Sequence, residues 1–152
     1  MHATLLREAR AQYFRENGLG EDGGYSKRWV KVQVASIPMG FPNSNARRRA
    51  VWLHDLHHIV TGYDTSWVGE AEIAAWELGS GCRDYYAAWL LNLAAVMVGA
   101  FIAPRRVWRA FIRGRHSNSL YHLDVDERCL DETVDTVRKR LGIADVGRIK
   151  QR

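Results

Sequence analysis

Apolar residues recur along most of this chain every third or fourth position, and the elements they predict are helices. From Thr4 to Glu16, the positions Leu5, Leu6, Ala9, Tyr13 and Phe14 mark one face of an amphipathic first helix, with Gly18 as its stop. In RWVKVQVAS the period falls to two: Val30, Val32 and Val34 alternate with Lys31 and Gln33, which predicts a short strand or extended arm. A single strand leaves its backbone edges unpaired, and SLYHLDV around Leu120 is the partner the sequence offers. Pro38 and Pro42 punctuate a loop, and Asn43 or Ser44 is placed to cap a helix that runs to Thr61. Gly62 breaks that helix. Asp64, Thr65 and Ser66 are all able to cap the next one, which carries Glu70 in its first turn and ends at the glycines of LGSGC.

The most apolar stretch follows. From Ala87 to Ala103 only Asn92 is polar. That length lies at or just below the roughly 17 to 25 residues a membrane-spanning helix needs, so three readings stand: ordinary core, the wall of a ligand tunnel, or a span. Core is the commonest outcome for such a helix. Pro104 predicts a kink or break, and RRVWRAFIRGR continues as a short basic helix with Val107, Phe111 and Ile112 inward. The last helix has Asp124 or Asp126 as its cap, Leu130, Val134, Val137 and Leu141 on one face, and Gly142 as its end; the tail IADVGRIKQR reads as loose. The sum is a single domain over 1–152, mostly α: a helical bundle with a helix-turn-helix at its centre and at most a small two-stranded β element.

Composition narrows the function without naming it. A chain of 152 residues, 47% hydrophobic, is long enough to bury a core without staples. Cys82 and Cys129, far apart and in no metal-ligand spacing, predict reduced thiols. The N-terminus alternates charge with apolar residues and lacks the apolar run of a secretory signal, which predicts a cytoplasmic protein, with peripheral membrane contact left open. The net charge of +5 suits a partner carrying phosphate, either a lipid surface or a phosphorylated small molecule. Nucleic acid is disfavoured, because no recognition helix, aromatic platform or zinc finger accompanies the charge. The oligomeric state, a homo-oligomer included, is open.

The candidate chemistry sits between Arg47 and Glu77, in RRRAVWLHDLHHIVTGYDTSWVGEAEIAAWE. His54 and His58, four apart, share a helix face, and Asp55 borders it. A tight turn folds Glu70 back over them and completes an N2O2 set suited to zinc, iron or manganese and too nitrogen-rich for calcium. A histidine pair at this spacing also arises by chance, and buried histidines are often satisfied core residues. Here the aspartate within the pair and the carboxylate on a capped second helix favour ligation. Zinc proteases need a glutamate where Asp55 stands, one methylene shorter. His-Asp phosphohydrolases need a further upstream histidine, and only His2 is available. A two-histidine, one-carboxylate face with open positions fits without forcing.

Around these ligands, Trp52, Trp67, Trp76 and Arg48 are candidates to line a substrate site, the tryptophans by sandwiching an aromatic ring, against their commoner role of core. Arg47, Arg48 and Arg49 lie where the helix dipole disfavours cations. Either they form a solvated face or they, with Arg105, Arg106, Arg109 and Arg113, hold a carboxylate, a pyrophosphate or an anionic membrane. His57 and Glu77 are candidates to hold the ligands' outer nitrogens, unless they face solvent.

The run His54, Asp55, two residues, His58, eleven residues, Glu70 resembles the signature H-D-x-x-H-x(11)-E of the coenzyme Q biosynthesis protein 4 family, and the likeness extends from about Arg47 to Gly81. In its shortness the chain resembles compact bacterial members. The resemblance implies an α-helical protein with a divalent metal held by His54, Asp55, His58 and Glu70 beside an apolar tunnel for a prenyl tail. It implies chemistry on prenylated 4-hydroxybenzoate-type rings, with oxidative removal of the carboxyl group and its replacement by hydroxyl. Two other readings remain beside it: a non-catalytic isoprenoid-binding or scaffold protein, and a metal-dependent phosphohydrolase.

Overall fold

A computed structural model describes residues 3–34 and 37–143, with the backbone alone for 30–42; His2 and the tail beyond Ile143 lie outside the described residues. The chain runs α1 (Leu6–Glu16), β1 (Trp29–Val34), β2 (Ile37–Pro42), α2 (Asn45–Thr61), α3 (Trp67–Ser80), α4 (Tyr86–Ile102), α5 (Pro104–Arg115) and α6 (Val134–Arg140), with two short 3-10 turns at Leu120–His122 and Glu127–Asp131. It is a helical bundle. α3 lies at its centre, packed on α2, α4 and α5, while α1 and α6 close over α2.

The small β element forms, but not with the expected partner. β1 pairs antiparallel with β2, from Trp29 opposite Pro42 to Val34 opposite Ile37, and SLYHLDV instead makes the first 3-10 turn. The segment holding Pro38 and Pro42 is therefore a strand and not a loop. Their spacing of four turns both missing N–H groups to the same side, and a two-stranded ribbon has free edges where proline is tolerated. Buried Asn43 pins the base of this hairpin, its amide donating to the carbonyls of Lys27 and Tyr25 at 2.8 and 3.3 Å.

α2 is held at both ends. Ser44 caps its start by accepting from the Arg47 N–H at 3.2 Å. At its far end Gly62 adopts the left-handed conformation, and the last carbonyls accept from Arg113 (Thr61, 3.1 Å) and Arg138 (Val60, 2.9 Å). Two guanidinium groups thus complement the negative end of the helix. Ser66 caps α3, and the turn before it is so tight that a Cβ on Gly69 would lie 2.2 Å from the Asp64 carbonyl oxygen. α3 and α5 cross backbone to backbone: a Cβ on Gly114 would meet the Trp76 carbonyl oxygen at 2.1 Å.

Pro104 breaks the chain as predicted, with Ala103 ending α4 and preceding α5. In α5, Val107 is buried and Phe111 half-buried; Ile112, expected inward, is 38% exposed, because Val107, Ala110 and Gly114 already fill the face toward α3. α6 starts later than expected, capped by Thr133, while Asp126 caps the 3-10 turn before it. Leu130, Val134, Val137 and Leu141 are buried together as the pattern required. The two ends of the described chain meet where Leu6 N–H donates to the Glu132 carbonyl at 2.8 Å.

Candidate metal centre

Three side chains converge. His54 and His58 on α2 and Glu70 in the first turn of α3 bring ligand atoms within 4.8 Å of one another. The His54 and His58 Nε2 atoms are 3.2 Å apart, and Glu70 approaches them at 3.5 and 3.3 Å. Metal bonds of about 2.0–2.2 Å to nitrogen and oxygen place neighbouring donors roughly 3.0–3.5 Å apart, so the three are already spaced for one first-row divalent ion.

The hydrogen bonds behind the rings fix which nitrogen faces inward. His58 Nδ1 lies 3.0 Å from the Tyr63 carbonyl, which only accepts, so this nitrogen carries the proton. His54 Nδ1 lies 2.9 Å from Glu77 Oε1. Both Nε2 lone pairs then point at each other and at a carboxylate, three acceptors that require a cation between them. Burial pushes His54 down, but Glu77 and Glu70 outweigh it and raise it well above the ordinary histidine value. For Glu70, burial is overcome by the hydrogen bonds to His54 and His58, which bring its carboxyl down to about 2. A proton on His54 and a divalent ion answer the same demand and compete for the same lone pair.

Glu77 is the keystone of α3. It is fully buried, and both oxygens are taken: Oε1 accepts from His54 and from His57 (2.7 Å), Oε2 from Asn92 (2.6 Å) and from the Tyr121 hydroxyl (3.0 Å). Burial opposes its ionisation, yet His54 and His57 hold it well below the ordinary carboxylate range. His57 does not face solvent; its Nε2 accepts from the Leu120 N–H at 2.9 Å, so it is neutral and donates through Nδ1. Burial keeps it so, pushing its pKa down.

Asp55 stands apart from the three-residue group. It is buried, and its carboxylate accepts the hydroxyl of Tyr25 from the glycine-rich loop. Tyr13 of α1 stacks on His58 with ring centroids 5.5 Å apart, and burial, followed by the charges of Asp55 and Glu70, keeps its phenol protonated. Sequence reasoning did not single out Tyr13, Tyr25 or Tyr121, which come from loops and helices remote in the chain. Asn92 did carry a signal, as the one polar residue of an apolar helix.

The site opens into a cavity of about 240 Å³ between α2, α3 and α4. Its polar lining is Arg47, His54, Glu70, Glu77, Asn92 and Tyr121; the remainder is apolar, including Ala74, Leu91 and Ala95. None of the expected wall residues Trp52, Trp67, Trp76 and Arg48 lines it. Trp52 is buried under the Arg49 guanidinium, 4.7 Å from its ring centroid; Trp76 is buried against His57; and Trp67 is 83% exposed. Arg47, one residue before Arg48, takes the position at the cavity.

The fold and site define a helical bundle with a two-histidine, one-carboxylate centre at the mouth of an apolar cavity. No family model, curated protein or solved structure matches the chain.

Proposed function

We propose that this chain is a metal-dependent enzyme of quinone or related aromatic natural-product biosynthesis, acting on a prenylated aromatic carboxylic acid by decarboxylation or hydroxylation of the ring. The observation that carries this reading is the convergence of His54, His58 and Glu70, of which His54 and Glu70 line a cavity whose other walls mix apolar residues with Arg47, Glu77, Asn92 and Tyr121. The motif shared with the coenzyme Q biosynthesis protein 4 family supports the substrate class. Zinc, iron and manganese all suit this donor set, and a bound ion would polarise the substrate carboxylate or activate oxygen or water.

The protein's own residues supply the rest. Glu77 and the Tyr63 carbonyl hold the two imidazoles in the orientation that presents Nε2. Because Glu77 accepts four hydrogen bonds, it orients and is not a base. Arg47 gives the cavity a cation complementary to a substrate carboxylate. Ala50, Ala74, Ala88 and Ala95 leave room for a ring. At about 240 Å³ the cavity is smaller than the ~300 Å³ at the low end of ligand pockets, so it suits a ring and the start of a chain.

The test is elemental analysis of the purified protein beside His58→Ala and Glu70→Ala, with mass spectrometry of the organic extract and turnover of prenylated hydroxybenzoates. Near-stoichiometric metal and turnover in the parent, both lost in the folded variants, are expected. Unchanged turnover in both variants would sink the proposal. The apolar lining of the cavity favours, as second reading, a non-catalytic isoprenoid-binding protein, which requires co-purifying lipid and ligand-linked stabilisation without chemical change. Phosphate release from prenyl phosphates would instead identify a phosphohydrolase.

A further inference from the structure

One acidic residue of the motif does not reach the centre. The ligand atoms of His54, His58 and Glu70 lie within 4.8 Å of one another, and the Asp55 carboxylate is not among them. Yet Asp55 adjoins His54 in the chain and precedes His58 by three positions, so its Cβ borders the ligand face of α2. A change of rotamer in one short side chain separates the observed position from one at the ion. What occupies the carboxylate instead is Tyr25, whose hydroxyl donates to Asp55 Oδ2. A carboxylate only accepts and a phenol keeps its proton at neutral pH, so the direction of this bond is fixed.

Tyr25 is itself firmly seated. Its ring meets Phe14 of α1 edge to face, with centroids 5.9 Å apart, and Phe14 is buried. The Tyr25 carbonyl accepts from the buried Asn43 amide at 3.3 Å. Two residues earlier the backbone lies against both rings: a Cβ on Gly23 would be 2.7 Å from the Phe14 ring and 2.9 Å from the Tyr25 ring, at a φ of +65°. Tyr13, beside Phe14 on α1, stacks on His58. Adjacent residues of one helix therefore brace a metal-facing histidine and the tyrosine that holds Asp55. A buried carboxylate needs a donor, but an ion one helical turn away would satisfy it equally. The seat of Tyr25 decides between them.

We infer that Tyr25 is a positioning residue that holds Asp55 away from the metal, so that His54, His58 and Glu70 alone bind the ion and a position stays open for the substrate carboxylate. The inference rests on the metal-dependent reading above and departs from the four-ligand set that the family resemblance implies. Three protein ligands with an open position suit catalysis, whereas four close a structural site. A divalent ion facing a single ligating carboxylate also keeps net positive charge, which a second would cancel. An anionic substrate then meets both a free position and a cation, with Arg47 lining the same cavity.

The probe is cobalt(II) alone, whose visible absorption reports coordination number. It is titrated into the chelator-treated full chain and into Tyr25→Phe, Asp55→Asn and the double variant, each checked for unchanged circular dichroism. Asp55→Asn is expected to reproduce the parent spectrum. Tyr25→Phe should change the spectrum toward that of a site with one more ligand and tighten cobalt binding about tenfold, and the double variant should return to the parent spectrum. A spectrum altered by Asp55→Asn in the parent would overturn the inference, because Asp55 would already be a ligand. So would Tyr25→Phe with the parent's spectrum and affinity, because the hydroxyl would then only satisfy a buried carboxylate. In both of those cases cobalt is bound and the metal-dependent reading stands; a parent chain that binds no cobalt removes both.

Discussion

The α2–α3 and α4–α5 pairs are built from opposite materials. α2 and α3 embed a polar network in the core, and almost every polar atom of it is answered: four donors on Glu77, the Tyr63 carbonyl on His58, the Leu120 N–H on His57. α4 and α5 carry apolar side chains outward and arginines at one end. The difference teaches where each region is sensitive. A buried network fails when one member is removed, whereas an exposed apolar stripe tolerates polar substitution.

The largest expected effect is at the hub. Glu77→Ala strands His54, His57, Asn92 and Tyr121, and breaking such a buried ionic group costs about 3–5 kcal/mol, read as a large fall in thermal midpoint. Glu77→Gln keeps the shape but removes the charge behind His54; metal affinity should fall about 10–100-fold by calorimetric titration while the fold persists. If metal affinity is unchanged in Glu77→Gln, the hub serves packing alone.

Asn92→Ala and Phe101→Ser divide the two faces of a single helix. The first leaves Glu77 Oε2 short of a donor and should cost about 1–3 kcal/mol in denaturant unfolding. The second should change stability by no more than ~0.5 kcal/mol. Equal effects would show that α4 is not two-faced in solution.

Acid separates the regions more gently. In the metal-free protein, Glu70 is lowered from 4.5 to about 2 and Glu77 lies well below its ordinary value, so their stabilising contributions are present above pH 4.5 and are lost as pH falls toward 2. Asp55, raised by burial against its Tyr25 hydrogen bond, works the other way, as one carboxyl against two. Thermal midpoints measured with chelator should therefore decline over that window, and Glu70→Gln should make the decline shallower.

Much of the centre was legible because its parts are close in sequence. His54 and His58 are one helical turn apart, and Ser66 caps the helix that carries Glu70 a few residues later, so local geometry alone puts them together. Glu77 follows two turns beyond Glu70 on the same helix. The role of Asp55 was not legible: its partner Tyr25 lies 30 positions upstream in a loop with no periodicity. Trp52 and Trp76 misled for a related reason, since their large area says that they are buried against something but not against what, and Trp67 is not buried at all. The β pairing failed because two prolines read as punctuation when the strand's own free edge made them harmless.

By itself, then, the sequence determined the helices, the caps of α2 and α3, the breaks at Gly62 and Pro104, and the convergence of two histidines and a carboxylate. These follow from spacing of a few residues, where backbone geometry leaves little choice. Only the tertiary structure decided that Asn92 and Tyr121 complete the Glu77 hub, that Arg47 rather than Arg48 reaches the cavity, and that α4 shows one face to solvent. Asn92 marks the reason. A helix apolar all round carries no periodic signal to say which side is covered, and that is settled by which neighbours arrive, here α3 with α2 and α5 on one side and no helix among the described residues on the other.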